Sequence, residues 1–221
     1  MTRAPLLLVG AGGLAREVLA AIRLGDRWDP VGLLDDRPSL AGSVIDRVPV
    51  LGGTDLVHEH PNAKVVVCVA NAHRPTGRRE VVRKLGLPAS RYGTVVHPHA
   101  SVAHGVVLGE GTVLLAGVVI TAPQEVGAHV LAMPHVLLTH DDSVGDFVTL
   151  AGRATLAGAV RVEDSAYLGS ACAVREGVTI GAEAVIGMGA VVLDDVPAGE
   201  TWVGLPARKL VSAAVPRLEA L

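Results

Sequence analysis

Aromatic side chains are scarce in this sequence of 221 residues, which holds one Phe, two Tyr and two Trp. Half of the residues are nevertheless hydrophobic, so the apolar mass consists of Val, Leu, Ile and Ala. A core of such small and β-branched side chains suits a thin, regular β-structure better than a bulky interior. The length is sufficient for one or two domains with a sizeable core.

The sequence has only two cysteines, a small net charge and no long apolar run at its N-terminus, and each of these features argues against a class of protein. Cys68 and Cys172 lie far apart and form no metal-ligand or redox motif, so we expect buried free thiols. A net charge of −3 without a long basic run argues against a nucleic-acid partner. The N-terminal apolar run of four residues is too short for a signal peptide or a membrane-spanning helix. We therefore expect a soluble cytoplasmic protein without a membrane partner.

A large aliphatic residue recurs every six positions from Val96 to Val192, with seventeen consecutive matches of which only Ala132 is not large. The position four residues after each match is Ala, Val, Thr or Cys in fifteen cases, and the exceptions are Gln124 and Asp142. A helix cannot produce this pattern, because six is not a multiple of 3.6. The period predicts short parallel strands joined by turns, each with one large and one small inward residue. Nearly half of the chain should therefore form a hexapeptide β-helix.

The first ninety residues alternate short apolar runs with helical spacing. The predicted strands are Leu6–Val9, Val31–Leu34 and Val65–Val69, and the predicted helices cover about 14–25 and 76–85. Strands and helices that alternate in this way indicate a Rossmann-like α/β half-unit.

A glycine motif follows the first predicted strand, and it has more than one interpretation. The Gly10-x-Gly12-x-x-Ala15 spacing, with Asp35 about twenty residues on, matches a dinucleotide fingerprint and would indicate an oxidoreductase. A full dinucleotide site needs two such halves, whereas this chain turns into the repeats after one. Backbone amides at a helix N-terminus can still approach a phosphate, which favours a nucleotide-linked sugar as ligand. A tight strand-to-helix turn without a ligand is the alternative.

The seventeen hexads and the Rossmann-like half-unit together resemble the hexapeptide-repeat sugar acyltransferases of the bacillosamine N-acetyltransferase and sialic acid O-acetyltransferase group. We predict an α/β domain over residues 1–92, an all-β parallel β-helix over 93–197 and a C-terminal cap over 198–221. The resemblance implies that the β-helix is left-handed. It also implies acetyl-CoA as co-substrate, no tightly bound cofactor, a sugar or nucleotide-sugar acceptor and a homotrimer with active sites between subunits.

The stretch THDDSVGD, residues 139–146, matches the catalytic region of the similar enzymes. The resemblance implies that His140 is the general base and that Asp141 orients its ring. A neutral imidazole near pH 7 is well matched to taking a proton from an attacking amino or hydroxyl group. A carboxylate on the other ring nitrogen fixes the tautomer and stabilises the imidazolium. The alternative is an ordinary surface histidine beside two solvated acids.

The resemblance also implies where the two substrates bind. The residues expected to hold the nucleotide sugar are Gly12, Gly13, Leu14, Asp35, Asp36, Ala70 and Asn71. Those expected to bind acetyl-CoA are Thr149, Gly158, Ser170, Met188 and Arg208, of which Gly158, Ser170 and Met188 should lie stacked or nearly stacked along one side of the β-helix. Three positions depart from the family: Leu14 and Thr149 replace histidines, and Met133 begins a stretch that replaces an asparagine-rich one.

Two further classes of function stay open. A non-catalytic nucleotide-sugar-binding or regulatory β-helix protein is favoured by the departures at Thr149 and Met133. A zinc-dependent enzyme similar to carbonic anhydrase would use His104 and His140, which lie thirty-six residues apart, but the position of the third ligand is Gly145. Because a catalytic zinc site needs three protein ligands, we predict no metal. Transfer to nitrogen and transfer to oxygen are not separated by the sequence.

Overall fold

The computed structural model describes residues 3–211. Its N-terminal part contains five strands and two helices. They are β1 (Ala4–Val9), α1 (Gly13–Leu24), β2 (Trp28–Leu34), β3 (Val44–Ile45), β4 (Val48–Gly52), β5 (Lys64–Val67) and α2 (Gly77–Leu85). The strands form one sheet in the order β3-β4-β2-β1-β5, which is parallel except for the β3–β4 pair.

Both predicted helices and all three predicted strands of this part are present, with shifted ends. Helix α1 buries Ala15, Val18 and Ile22 at helical spacing and ends before Gly25, as expected. Strand β2 begins three residues before the predicted Val31, and β5 covers Lys64–Val67 and not Val65–Val69. The β3–β4 hairpin was not predicted, although β4 alternates buried and exposed residues.

From residue 95 the chain forms a parallel β-helix of seventeen two-residue strands. They are β6 (Val95–Val96), β7 (Ser101–Val102), β8 (Val107–Leu108), β9 (Val113–Leu114), β10 (Val119–Ile120), β11 (Glu125–Val126), β12 (Leu131–Ala132), β13 (Leu137–Leu138), β14 (Ser143–Val144), β15 (Thr149–Leu150), β16 (Thr155–Leu156), β17 (Arg161–Val162), β18 (Tyr167–Leu168), β19 (Ala173–Val174), β20 (Thr179–Ile180), β21 (Val185–Ile186) and β22 (Val191–Val192). Each strand ends on a residue of the predicted aliphatic series, so the register of the repeat is confirmed.

Three flat faces run along the β-helix, because strands eighteen residues apart pair in parallel, as Val119 does with Leu137. Face 1 contains β6, β9, β12, β15, β18 and β21; face 2 contains β7, β10, β13, β16, β19 and β22; face 3 contains β8, β11, β14, β17 and β20. The aliphatic series fills the interior and is buried from Leu114 onwards, whereas Val96 in the first coil is exposed. Burying one large aliphatic side chain contributes roughly 1.5–3 kcal/mol to the stability of the fold. Each further strand of the β-helix adds another such side chain to the interior.

The C-terminal end of the β-helix is closed by a hairpin. Strand β23 (Thr201–Gly204) extends face 1, and β24 (Ala207–Lys209) returns antiparallel to it. Ala207 is buried and Trp202 packs against the last coils of the core. The predicted cap runs to residue 221, of which residues 212–221 lie outside the described part of the chain.

The N-terminal domain packs on face 1 of the β-helix. Val18 of α1 and Leu8 of β1 share one hydrophobic cluster with Val95, Val113 and Leu131, the outward residues of the first strands of face 1. The edge between faces 2 and 3 is therefore the edge of the prism that lies farthest from this domain. Within residues 3–211 no helix has the length and apolarity needed to cross a membrane. Cys68 and Cys172 are buried free thiols, as predicted.

Candidate functional site

His140 lies at the edge between faces 2 and 3, two residues after the end of β13. Its Nδ1 is 2.8 Å from Oδ2 of Asp141, and the two side chains are 69% and 79% exposed. Asp141 has a φ of +62°, so the chain turns sharply at this residue and presents both side chains outwards. When Nδ1 carries the ring proton it donates to the carboxylate, which leaves Nε2 able to accept a proton. The pair predicted from the sequence is formed and open to solvent.

Gly158 lies beneath the imidazole of His140, one coil further along. A Cβ atom at Gly158 would stand 2.4 Å from Cε1 of His140, so the ring occupies the space that any other side chain would need. The backbone N–H of Ala159 donates to the carbonyl of His140 at 2.9 Å and ties the two coils together. The ring can approach the backbone this closely because glycine has no side chain.

The residues predicted to bind acetyl-CoA are divided between different edges. Ser170 and Met188 lie on neighbouring coils at the edge between faces 1 and 2, where the N–H of Gly189 donates to the Ser170 carbonyl. Gly158 is not in their stack, because twelve residues separate it from Ser170 and one coil takes eighteen. It lies across face 2, under His140. Met188 is 81% exposed.

Thr149 and Arg208 occupy contrasting environments. Thr149 is buried on face 1, where its hydroxyl accepts a hydrogen bond of 3.0 Å from Arg78. Its side chain is covered by α2, so it offers no accessible contact for acetyl-CoA within this chain, contrary to the prediction. Arg208 in β24 is exposed and lies 3.8 Å from Asp194, and its guanidinium is accessible to an anion.

Arg78 is a residue that sequence reasoning missed. It is 3% exposed, and no carboxylate of the described chain pairs with it. Its guanidinium donates to the carbonyls of Val69, His129, Phe147 and Val148 and to the hydroxyl of Thr149. Burial lowers the pKa of Arg78 to about 10. In the sequence this residue belongs to the run GRREVVRK, which reads as a solvated helix face, so no local signal marked it.

The glycine loop of the N-terminal domain is braced by Asp35. One carboxylate oxygen accepts from the N–H of Ala11 at 2.8 Å, and Arg37 holds the carboxylate through two hydrogen bonds of 2.8 and 2.9 Å. The Arg37 hydrogen bond, with those from the backbone, keeps the pKa of Asp35 far below its usual range. Asp35 was predicted to contact the ligand, whereas its acceptors are already engaged. Gly10 has a φ of +97°, and a Cβ there would stand 2.9 Å from the Cys68 carbonyl.

The N-terminus of α1 is open. Nothing lies within 4 Å of the Cβ position at Gly12 or Gly13, and no side chain within residues 3–211 caps the helix. Leu14 is half-buried and packs against the cluster that joins α1 to face 1, and so do Ala70 and Met133. Two of the departures from the family, Leu14 and Met133, therefore pack against the same hydrophobic cluster.

A cleft of about 450 Å³ opens where β2 and β5 end, beside the first turns of α2. Asp36 and Asn71, both predicted, line it together with Arg74 and Lys84. Lys84 Nζ donates to Asp36 at 2.6 Å and lowers the pKa of that carboxyl group. Glu80 also lines this cleft and pairs with Arg74, so each of the two cations is paired with a carboxylate of the same chain. Polar side chains at the carboxyl ends of parallel strands are typical of a ligand-binding crevice.

The described residues do not hold a cluster of three His, Cys, Asp or Glu side chains that could bind a metal ion. The two parts of the predicted site also do not meet within one chain. The cleft opens at the domain on face 1, whereas His140 lies at the opposite edge of the prism. Any reaction that uses both needs a second copy of the chain.

A parallel β-helix of hexads behind a Rossmann-like half-domain, with a histidine–aspartate pair at one edge, defines a hexapeptide-repeat acyltransferase. The PglD N-terminal domain family matches residues 5–85, and the hexapeptide repeat of succinyl-transferase matches residues 100–122 and 159–194. GDP-perosamine N-acetyltransferase of Escherichia coli O157:H7 is 32% identical over 213 residues, which cover 92% of this chain and 95% of the relative.

Two solved structures are similar along nearly the whole chain. The acetyltransferase domain of PglB from Neisseria gonorrhoeae FA1090 is 27% identical with a TM-score of 0.84, over 94% of this chain and 100% of that one. PerB from Caulobacter crescentus, solved with CoA and GDP-perosamine, is 28% identical with a TM-score of 0.82, over 94% of this chain and 97% of that one. The chain belongs to the family of hexapeptide-repeat sugar N-acetyltransferases.

Proposed function

We propose that this protein transfers an acetyl group from acetyl-CoA to the amino group of a nucleotide-linked sugar, in one direct step. The choice of these two substrates is supported by three relatives. The PglB acetyltransferase domain has been solved with acetyl coenzyme A, the Caulobacter crescentus enzyme with CoA and GDP-perosamine, and the Escherichia coli relative is named for GDP-perosamine. Transfer to a sugar hydroxyl is the closest alternative, because the same base would serve it.

The observation that carries the mechanism is the 2.8 Å contact between His140 Nδ1 and Asp141. The carboxylate engages Nδ1, which leaves Nε2 to accept the proton of the attacking amine. The amine nitrogen bonds to the thioester carbonyl carbon, the carbon–sulfur bond breaks, and the departing CoA thiolate takes up a proton. The products are an amide and free CoA.

The two substrates approach this pair from different sides. The cleft with Asp36, Asn71, Arg74 and Lys84 is proposed to hold the nucleotide sugar, with the open N-terminus of α1 near its phosphates. Ser170 and Met188, which lie along the edge of face 2, are proposed to border the pantetheine arm of acetyl-CoA. The exposed guanidinium of Arg208 is proposed to meet the CoA phosphates.

Face 2 is the surface proposed to bind further copies of the chain in a homotrimer. Its outward row carries no charge, with Val119, Leu137 and Val191 half-buried in the single chain. The outward row of face 3, in contrast, includes exposed Glu125 and Arg161. An uncharged apolar stripe is typical of a buried contact between subunits. His140 borders face 2, so association there would bring it against a neighbouring copy.

The test is acetyl transfer with a panel of GDP-, UDP- and dTDP-linked amino sugars. Turnover is measured from the release of the CoA thiol, and the product is identified by its mass. Wild type should acetylate at least one of them. His140→Ala should lower kcat by about 10²–10⁴-fold, the usual contribution of a general base. His104→Ala is the matched control, since His104 lies on the same edge two coils earlier and is exposed.

Two outcomes would contradict the proposal. One is wild-type turnover by the His140→Ala variant, which would show that His140 is not the general base. The other is the absence of transfer to every sugar nucleotide, which would favour a binding or regulatory protein. A zinc enzyme, in contrast, would retain metal after purification and lose activity in His104→Ala and His140→Ala alike.

A further inference from the structure

Asp142 is a buried carboxylate inside the β-helix, two residues after His140. It is 4% exposed, and it takes the inward position that fifteen of the seventeen repeats give to small residues. Its Oδ2 accepts from the N–H of Thr139 at 2.8 Å, and its Oδ1 accepts from the N–H of Val160, one coil on, at 2.9 Å. One side chain therefore binds the residue before His140 and the coil beneath it.

The two exceptions to the small-residue rule contact each other. Gln124 lies one coil before Asp142, and its Oε1 accepts from the N–H of Asp142 at 3.1 Å. At most other turns the corresponding N–H donates to the carbonyl three residues earlier, as Ala154 does to Ala151 at 3.0 Å. Around His140 the amides at this position bond to the side chains of Gln124 and Asp142 instead.

This arrangement has a cost that a structural role alone does not require. A buried carboxylate is unfavourable unless its hydrogen bonds compensate for lost hydration, and burial raises the pKa of Asp142. Fifteen of the seventeen inward positions hold a small apolar or hydroxyl residue and close the turn without an acid. Departures from a consistent pattern are expected where function constrains the sequence.

We propose that Asp142 is a positioning residue, which fixes the turn from Thr139 to Asp142 so that the His140 ring faces outwards over Gly158. This inference rests on the proposed role of His140 as general base. Asp142 fixes the backbone on both sides of the His140 ring. It binds the N–H of Thr139, the residue before His140, and the N–H of Val160, two residues after Gly158. It does not contact the substrates, since its side chain lies inside the prism.

Thr112 provides a matched control at another edge. It is also buried in the inward row, and its Oγ1 accepts from the N–H of Val130 at 3.0 Å and donates to the Gly127 carbonyl at 2.8 Å. It thus replaces a turn hydrogen bond as Asp142 does, but between faces 3 and 1. A purely structural function of Asp142 would make Thr112→Val and Asp142→Val equivalent.

The experiment compares kcat and KM of these two variants, in each of which the new residue is one that the repeat accepts. Asp142→Val should lower kcat by about 10²-fold, the effect of a displacement of roughly 1 Å in a catalytic group, with KM for acetyl-CoA unchanged. Thr112→Val should leave both parameters unchanged. Asp142→Asn should give an intermediate kcat, because its amide nitrogen faces one backbone donor; it also decides the question if Asp142→Val does not fold.

A second measurement does not depend on turnover. The ¹⁵N resonances of the His140 ring report its tautomer and its contact with Asp141, and they should shift in Asp142→Val but not in Thr112→Val. Unchanged ring resonances and wild-type kcat in a folded Asp142→Val protein would overturn the proposal. If His140→Ala keeps full turnover, the general-base function fails, and the ring resonances still show whether Asp142 positions the ring.

Discussion

The hydroxyl oxygen of Thr149 accepts a hydrogen bond of 3.0 Å from Nη2 of Arg78, and this contact joins the β-helix to the N-terminal domain. The same guanidinium also donates to the Val69 carbonyl in its own domain. An arginine buried among neutral acceptors leaves several carbonyls without a donor when it is removed. Arg78 therefore adds a buried polar link to the hydrophobic cluster that holds the N-terminal domain on face 1.

Arg78→Met should lower the free energy of unfolding by about 3 kcal/mol, because buried carbonyls lose their donors. Urea denaturation of the purified protein measures this change. Arg79→Met is the control, since Arg79 forms a partly exposed ion pair with Glu183 across the same domain contact. Such pairs contribute about 0–1 kcal/mol. Equal unfolding curves for both variants would show that Arg78 does not hold the domains together.

Gly158→Ala should lower kcat while the fold is retained. The new methyl group would stand 2.4 Å from Cε1 of His140, so the ring must rotate away from its present position. Gly152→Ala is the matched control, because its nearest neighbour, the Pro134 carbonyl oxygen, would be 3.5 Å from the added carbon. Steady-state kinetics and thermal unfolding of both proteins test this. An unaffected kcat in Gly158→Ala would mean that the ring does not act from above Gly158.

Leu137→Glu should dissociate the proposed homotrimer and reduce acetyl transfer, because it places a charge in the uncharged outward row of face 2. Light scattering after size-exclusion chromatography measures the mass. Ser143→Glu adds the same charge to the exposed row of face 3 and should leave the mass unchanged. A monomeric wild-type protein, or a Leu137→Glu protein with the mass of wild type, would show that face 2 is not the contact.

The stability of the protein should fall as the pH is lowered from about 6.5 to about 4, partly because of His129. Burial and the nearby Arg78 lower its pKa to about 4, and its ring stacks on Phe147 at 5.0 Å between centroids. The unfolded chain, with a histidine pKa of about 6.5, binds more protons in this window. This group's contribution is therefore complete above pH 6.5 and is lost as the pH falls towards 4.

The loss amounts to at most about 3 kcal/mol, at 1.36 kcal/mol per pKa unit. His129→Asn is the comparison, since asparagine tolerates the φ of +56° at this position. Urea unfolding at several pH values should show a shallower slope for this variant between pH 6.5 and 4. Parallel slopes for the two proteins would assign the acid sensitivity to other groups.

The features that the sequence predicted are those that depend on residues close together in the chain. A period of six places each aliphatic residue inside, so the register of all seventeen strands follows from Val96 to Val192. The contact between His140 and Asp141 was predictable because the two residues are neighbours in the chain. The β3–β4 hairpin was missed, since the two residues of β3 are too few to form a pattern.

The sequence alone determined the repeat, the half-domain before it and the residues able to carry the chemistry, because periodicity and motifs depend on neighbours along the chain. Only the tertiary structure decided that Arg78 joins the domains, that Asp35 braces the glycine loop, and that Gln124 and Asp142 are one hydrogen-bonded pair. These relationships join residues from eighteen to seventy-one positions apart. Coiling and domain packing create such contacts, and no local pattern records them.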